Sequence, residues 1–140
     1  MWPWLAMLMQ RLPMDQTIKG GFRARVLVVD DEQSIAETLS IILSKNGFET
    51  AVAHDGREAV EKARNWRPDA IVSDVVMPKM DGIEAAIQIS AFLPTCKIVL
   101  LSGQAITSNL VRQAALKGHY FDVMAKPVHP TELLRELNTL

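Results

Sequence analysis

The sequence lacks the features of several large classes of protein. Its single cysteine, Cys96, cannot form an internal disulfide, so we expect a reducing compartment such as the cytosol and a buried, unreactive thiol. The formal net charge is −1, which gives no electrostatic attraction to nucleic acid or to an anionic membrane. His54, His119 and His129 do not have the spacing of metal ligands.

No apolar run is long enough to span a membrane. The apolar stretch Met1–Met9 has about half the required length, and it lacks the basic region and cleavage site of a signal peptide. The proline and glycines that follow indicate a flexible connection. We therefore predict an N-terminal extension over residues 1–24 and one domain over residues 25–140. The extension is either disordered, with an internal methionine as an alternative start, or a small hydrophobic anchor for a partner or for the domain's own surface.

The rest of the chain alternates apolar runs with segments of helical periodicity. With 49% hydrophobic residues, 140 residues are enough for one buried core. The patterns predict strands at 25–30, 48–53, 69–74, 97–102 and 121–125, and helices at 32–45, 55–66, 82–92, 105–117 and 131–137. Five strands separated by five helices predict an α/β fold, a doubly wound parallel sheet with helices on both faces.

Polar side chains lie at the predicted carboxyl ends of four strands. Asp30 and Asp31 end the first strand, Asp74 ends the third, Ser102 ends the fourth and Lys126 follows the fifth. For the strand order 2-1-3-4-5, strands one and three flank the point where the order reverses, and ligands bind there. The three acids are therefore expected to converge. Such a cluster is unfavourable unless a positive group joins it, usually a divalent cation.

Four motifs occur at these strand ends in chain order. They are Val28-Val29-Asp30-Asp31, Asp74-Val75-Val76-Met77-Pro78-Lys79-Met80-Asp81-Gly82, Leu101-Ser102-Gly103 and Lys126-Pro127. As a set they resemble the receiver domain of bacterial two-component response regulators, over about residues 25–138. The resemblance implies a flavodoxin-like, five-stranded parallel sheet of order 2-1-3-4-5. It also implies a cytoplasmic signalling module similar to the single-domain chemotaxis regulators.

The resemblance assigns roles to the acids and to the lysine. Asp74 would accept a phosphoryl group from a sensor histidine kinase or a histidine phosphotransfer protein. Asp31, Asp74 and the backbone carbonyl of Val76 would bind Mg²⁺ directly, while Asp30 would act through a water molecule on the metal. Lys126 would contact the phosphoryl group, or Asp74 when phosphate is absent.

The resemblance also implies how phosphorylation would reach a partner. Ser102 would donate its hydroxyl to a phosphoryl oxygen, and the peptide bond before Pro127 would be cis. The resulting movement would alter the surface formed by the last two helices and strand five, which would bind a downstream protein or a second copy of the chain. Since no residues follow Leu140 in this sequence, we expect a single-domain regulator or a fragment of a larger one.

The chain departs from the family pattern at several positions. Receivers usually carry an aromatic residue three positions before the lysine, where this chain has Val123. Phe121 either replaces that aromatic residue or belongs to the core. Val76 and Gln104 occupy the two positions that tune the lifetime of the acyl phosphate. Because valine cannot orient an attacking water, we expect moderately slow self-dephosphorylation.

Two other functions are weighed against this one. The first is a receiver fold that binds a partner without phosphorylation, against which the intact set of acids, Ser102 and Lys126 argues. The second is a Mg²⁺-dependent phosphatase of the haloacid dehalogenase type. That class needs a second aspartate two residues after the nucleophile, where this chain has Val76. We therefore expect no enzymatic activity beyond the protein's own phosphorylation and dephosphorylation.

Overall fold

The structure is a computed structural model that describes residues 23–103 and 105–140, without the side chains of 105–108. The strands are β1 (Arg25–Val29), β2 (Glu49–Ala53), β3 (Ala70–Asp74), β4 (Lys97–Ser102) and β5 (Asp122–Ala125). The helices are α1 (Gln33–Lys45), α2 (Gly56–Trp66), α3 (Gly82–Phe92), α4 (Ala105–Leu116) and α5 (Pro130–Leu137). Every predicted element is present, and each predicted boundary is correct to within one residue.

The five strands form one sheet of order β2-β1-β3-β4-β5, and all pairs are parallel. The predicted fold class and strand order are therefore confirmed. The register places Val29 beside Ser73, and Asp74 beside Leu101. The carboxyl ends of β1, β3 and β4 thus lie at one edge of the sheet, where the polar strand ends meet.

The core has two halves, one on each face of the sheet. In β1, Leu27 and Val29 pack on the side of α2, α3 and α4, while Val26 and Val28 pack on the side of α1 and α5. All four are buried, as expected for a parallel strand covered on both faces. The sheet is therefore fixed from both sides, and it holds the strand ends in place.

Two aspartates begin the helices nearest the polar edge. The side chain of Asp55 accepts the N–H of Glu58 at 2.8 Å and begins α2, and that of Asp81 accepts the N–H of Glu84 at 2.8 Å and begins α3. Each carboxylate satisfies a backbone donor that the helix leaves unpaired. Among residues 23–103 and 105–140, no helix is long and apolar enough to cross a membrane.

The predicted N-terminal extension falls almost entirely outside the described residues, so both interpretations of it stay open. The description begins at Arg23, whose backbone N–H donates to the carbonyl of Gly47 at 2.8 Å. The division between an extension at 1–24 and a domain at 25–140 remains a prediction.

Cys96 is half-buried rather than fully buried, beside the core half formed with α2, α3 and α4. Burial, reinforced by the charge of Asp69, raises the pKa of the Cys96 thiol to about 12. Because the thiolate is the reactive form, we expect iodoacetamide to modify the folded protein at pH 8 at least about tenfold more slowly than the urea-unfolded chain. Equal rates, followed by mass spectrometry, would contradict this environment for Cys96.

Candidate functional site

Three carboxylates converge at the carboxyl edge of the sheet. Asp30 directly follows β1, Asp31 is the next residue, and Asp74 ends β3. Each contributes an oxygen to a group in which all the chosen atoms lie within 4.8 Å of one another. Asp30 is buried, Asp74 is partly buried and Asp31 is exposed. The cluster therefore forms a pocket that is closed behind Asp30 and open to solvent at Asp31.

The buried acid, Asp30, is incompletely satisfied. Its residue is only 1% exposed, and its Oδ1 accepts the N–H of Glu32 at 2.9 Å. Its Oδ2 is the sole buried side-chain oxygen or nitrogen without a hydrogen-bond partner in the part of the chain that the structure describes. Burial raises the pKa of Asp30, and the charges of Asp74 and Asp31 add to this. The Glu32 N–H and Lys126 oppose it, but do not cancel it.

Lys126 supplies the positive charge of the cluster. Its Nζ lies 3.0 Å from Asp74 Oδ2 and 3.6 Å from Asp30 Oδ2. Burial disfavours the ammonium, but the hydrogen bonds and charges of Asp74 and Asp30 outweigh that effect and raise the pKa of Lys126. The backbone holds the lysine in position: its N–H donates to the carbonyl of Ser102 at 3.0 Å, and its peptide bond to Pro127 is cis.

The donor set fits a hard divalent cation. The pocket holds three carboxyl groups and one ammonium, so acidic groups outnumber the positive group by two. Mg²⁺ prefers oxygen ligands and uses one or two carboxylates in sites that also hold phosphate. Asp30 Oδ2 has an ion pair with Lys126 but no hydrogen bond, and such a cation, or a water on it, would satisfy this oxygen. The residues able to hold a metal are therefore Asp30, Asp31 and Asp74.

The backbone at Asp74 is fixed by two close contacts. The hydroxyl of Ser73, a buried residue, donates to the Asp74 carbonyl at 2.9 Å. A Cβ added at Gly82, the first residue of α3, would lie only 2.1 Å from that same carbonyl oxygen. The start of α3 therefore packs directly against the end of β3, and a residue larger than glycine would force the two apart.

The remaining predicted residues differ in their exposure to solvent. Ser102 is half-buried at the end of β4, and Val76 is 51% exposed on the loop after β3. Phe121 is half-buried against the core, which favours the core interpretation over a role in switching. Val123 is 44% exposed on β5. Gln104 lies outside the described residues, so its expected effect on phosphate lifetime stays a prediction.

Some contacts of the site were not foreseen from the sequence. Lys126 approaches Asp30 as well as Asp74. The ring Nδ1 of His54 lies 3.2 Å from the Asp30 carbonyl oxygen. An ion pair of 3.5 Å joins Lys79 to Asp55. The pair Asp55-Gly56 indicates a helix start at this edge of the sheet. It does not indicate which loop that helix start contacts.

The doubly wound sheet, with paired acids, a third acid and a lysine at its switch point, places the chain among the flavodoxin-like α/β domains. The family model of the response regulator receiver domain matches residues 26–138. The chain belongs to this family, as its four motifs predicted.

Relatives and solved structures agree with this assignment. The chain is 39% identical over 116 residues to the response regulator MprA of Mycobacterium ulcerans (strain Agy99), which covers 83% of this chain and 49% of the relative. It thus spans about half the length of the curated relatives it matches. The chemotaxis protein CheY4 of Vibrio cholerae superimposes with a TM-score of 0.71 at 35% identity, covering 83% of this chain and 97% of the other.

A further solved structure is a CheX–CheY complex of Borrelia burgdorferi that contains beryllofluoride and magnesium. A chain of that complex superimposes with a TM-score of 0.72 at 28% identity, over 94% of this chain and 96% of the other.

The charge imbalance at the site predicts a stabilising substitution. In the metal-free protein, Asp30→Asn keeps an acceptor for the Glu32 N–H and removes a buried charge. We expect it to raise the free energy of unfolding at pH 7 by about 1–3 kcal/mol, the scale of a buried unsatisfied polar group. Because the folded-state pKa of Asp30 is raised, its destabilising effect is absent below the ordinary value of 3.8 and appears as pH rises through the folded-state pKa.

Urea denaturation of Asp30→Asn and wild type across this pH range, in EDTA, measures the effect. A stability gain that did not shrink at acidic pH would contradict its assignment to the charge of Asp30.

Proposed function

We propose that this receiver domain is a phosphorylation-controlled signalling module that accepts a phosphoryl group on Asp74. The observation that carries the proposal is the position of Lys126 Nζ, within 3.0 Å of the Asp74 carboxylate and 3.6 Å of Asp30. An ammonium held between two acids, beside a third, is suited to a group that arrives with several negative oxygens. A purely structural ion pair would not need Asp30 and Asp31.

The transfer step uses the carboxylate of Asp74 as the nucleophile. One of its oxygens forms a bond to phosphorus while the bond from phosphorus to a donor histidine nitrogen breaks. The electron pair goes to that nitrogen, which takes up a proton. Ser73 and Gly82 hold the Asp74 backbone during this step through the contacts at its carbonyl. A partly buried side chain at the open edge of the pocket can meet a histidine from another protein.

Asp31, Asp74 and the carbonyl of Val76 would hold Mg²⁺, and Asp30 would act through a water. The bound cation would neutralise the oxygens of the transferring group and remove the repulsion among the acids. After transfer, Lys126 would exchange its contact with the Asp74 carboxylate for one with a phosphoryl oxygen. Ser102 would donate its hydroxyl to another phosphoryl oxygen. Because the Lys126 N–H already bonds the Ser102 carbonyl, the two strand ends would move together.

Phosphorylation would be signalled to a partner through the surface formed by α4, β5 and α5. The exposed side chains of Leu116, Tyr120 and Val123 lie on this part of the chain. A histidine kinase or histidine phosphotransfer protein would donate the phosphoryl group in the cytoplasm, and a downstream protein or a second copy of the chain would bind this surface. The Borrelia burgdorferi structure, with beryllofluoride and magnesium, supports a phosphoryl and metal site of this kind. A receiver that binds its partner without phosphorylation is the competing function.

Phosphorylation by a small donor tests the proposal directly. With Mg²⁺ and acetyl phosphate, we expect one phosphoryl group per chain by intact mass spectrometry, located on Asp74. Asp74→Asn and removal of the metal with EDTA should both abolish labelling, because the first removes the nucleophile and the second the charge neutralisation. Absence of labelling in the wild type would favour the phosphorylation-independent module. Rapid multiple turnover in which no labelled chain accumulates would favour a phosphatase.

The exposed side chain of Val76 predicts the stability of the acyl phosphate. Valine has no polar group with which to orient a water toward phosphorus, and asparagine has both a donor and an acceptor. We therefore expect Val76→Asn to speed loss of phosphate at fixed Mg²⁺ by roughly tenfold. This is less than the effect of roughly a hundredfold or more of a positioned acid or base, because an amide orients the water without taking its proton. Val76→Leu is the matched control and should leave the rate unchanged. An unchanged or slower rate in Val76→Asn would contradict this role for position 76.

A further inference from the structure

The loop between Asp74 and α3 contains a strained three-residue turn. The N–H of Met80 donates to the carbonyl of Pro78 at 2.8 Å, and Lys79 between them has a φ of 70°. A turn closed over three residues with a positive central φ is rare and unfavourable for a side chain larger than glycine. Such a conformation persists only where surrounding contacts impose it. Contacts from another part of the chain must therefore hold Lys79 and Met80 in place.

The start of α2 makes those contacts. The N–H of Gly56 donates to the carbonyl of Met80 at 3.2 Å, and Lys79 Nζ lies 3.5 Å from Asp55 Oδ2. Gly56 approaches so closely that an added Cβ would lie 2.3 Å from the Met80 carbonyl oxygen and 3.0 Å from the Met80 Cβ. Only glycine allows this contact between the helix start and the loop.

The turn that leads into α2, at residues 53–56, also contacts Asp30, the acid that follows β1. The carbonyl of Ala53 accepts the N–H of Asp30 at 3.1 Å, and the ring of His54 lies 3.2 Å from the Asp30 carbonyl. Residues 53–56 therefore bridge two parts of the acidic pocket: the Asp30 backbone on one side and the loop after Asp74 on the other. The roles given above to the site residues leave this turn without a function of its own.

We propose that the turn at residues 53–56 positions the loop after Asp74 and thereby sets the affinity of the acidic site for Mg²⁺, with Gly56 as the principal positioning residue. The inference rests on the proposed function, because it takes the three acids and the Val76 carbonyl to be a magnesium site. Gly56 touches neither metal nor phosphate. It acts through Met80 on the loop that carries the Val76 carbonyl.

The steric contact outweighs the ion pair. Lys79 has a side chain that is 63% exposed, and exposed ion pairs contribute little because water and salt screen them. By contrast, ordinary contact begins at 3.4 Å, so a Cβ at 2.3 Å requires a shift of about 1 Å. The helix is held by Ala59, Val60 and Ala63 in the core. On the loop, Pro78 and Lys79 beside Met80 are exposed, so this part of the loop moves instead. Mg²⁺ requires near-ideal octahedral geometry and does not accommodate such a shift well.

Gly56→Ala tests this inference, with Ala63→Gly as the matched control. Ala63 is buried on the same helix, and its change to glycine weakens α2 away from the loop. Calorimetric titration with Mg²⁺ should show about tenfold weaker binding for Gly56→Ala, the scale seen when support of metal ligands is lost. Ala63→Gly should bind within about twofold of wild type, since the loop contact is intact.

Hydrogen exchange of the metal-free proteins gives a second readout. The amides of Met80 and Gly82 both donate within the loop, to Pro78 and Val75. They should exchange faster in Gly56→Ala but at the wild-type rate in Ala63→Gly, which a general loss of helix stability would not produce. Wild-type Mg²⁺ affinity in Gly56→Ala, or equal losses in both variants, would overturn the inference.

A second pair of variants leaves α2 untouched and serves if Gly56→Ala does not fold. Lys79→Gly and Lys79→Val both remove the ammonium, but glycine adopts a φ of 70° without strain, whereas β-branched valine strongly disfavours it. We expect Lys79→Gly to bind Mg²⁺ like the wild type and Lys79→Val to bind more weakly. Equal affinities would show that the conformation of the loop at Lys79 does not set the affinity for Mg²⁺, and this would overturn the inference. Wild-type protein that failed to bind Mg²⁺ would instead refute the proposed function itself.

Discussion

Three carboxylates and one ammonium share the carboxyl edge of the sheet, and this imbalance of charge governs the surrounding structure. Asp30 is buried with one oxygen that has no hydrogen bond, and its pKa is raised chiefly by that burial. A chain selected only for stability would replace such a group with a neutral one. The arrangement persists because the sheet imposes it: Asp30 follows β1 and Asp74 ends the neighbouring β3, and the two strands are paired up to Val29 and Ser73.

The fold provides the rigidity that this cluster requires. Both faces of the sheet are covered by apolar side chains, so the ends of β1, β3 and β4 cannot separate to relieve repulsion. Lys126 is held by its backbone hydrogen bond to Ser102 at the end of β4. The positive charge that offsets the acids is therefore fixed to the same sheet as the acids. Relief must come from a group that enters from solvent, through the side opened by Asp31. In the proposed function, a divalent cation would bind in the pocket first and a phosphoryl group would follow, since both are chemically matched to the groups there.

Apolar runs were sufficient to predict the strands and the polar residues at their ends, because such runs identify buried strands. The strand order was implied by the resemblance to receiver domains. Given that order, its point of reversal identifies which strand ends are neighbours. The pairing of Lys126 with Asp30 was not predicted, since it depends on side-chain direction at the end of β5. The position of Phe121 stayed open until packing placed it against the core. The contact between Gly56 and Met80 could not be predicted, because it depends on a loop in which Lys79 takes a left-handed conformation.

Two glycines fix the loop after Asp74 at its two ends by the same physical means. Gly82 brings the start of α3 against the carbonyl of Asp74, and Gly56 brings the start of α2 against the carbonyl of Met80. In both cases a Cβ would collide with a backbone oxygen, so the loop and the helix starts constrain one another. Helix starts carry unpaired N–H groups and a partial positive charge, which suits them to hold carbonyl oxygens. The loop is thereby fixed by backbone contacts, while its side chains at Val76 and Lys79 are left exposed to solvent.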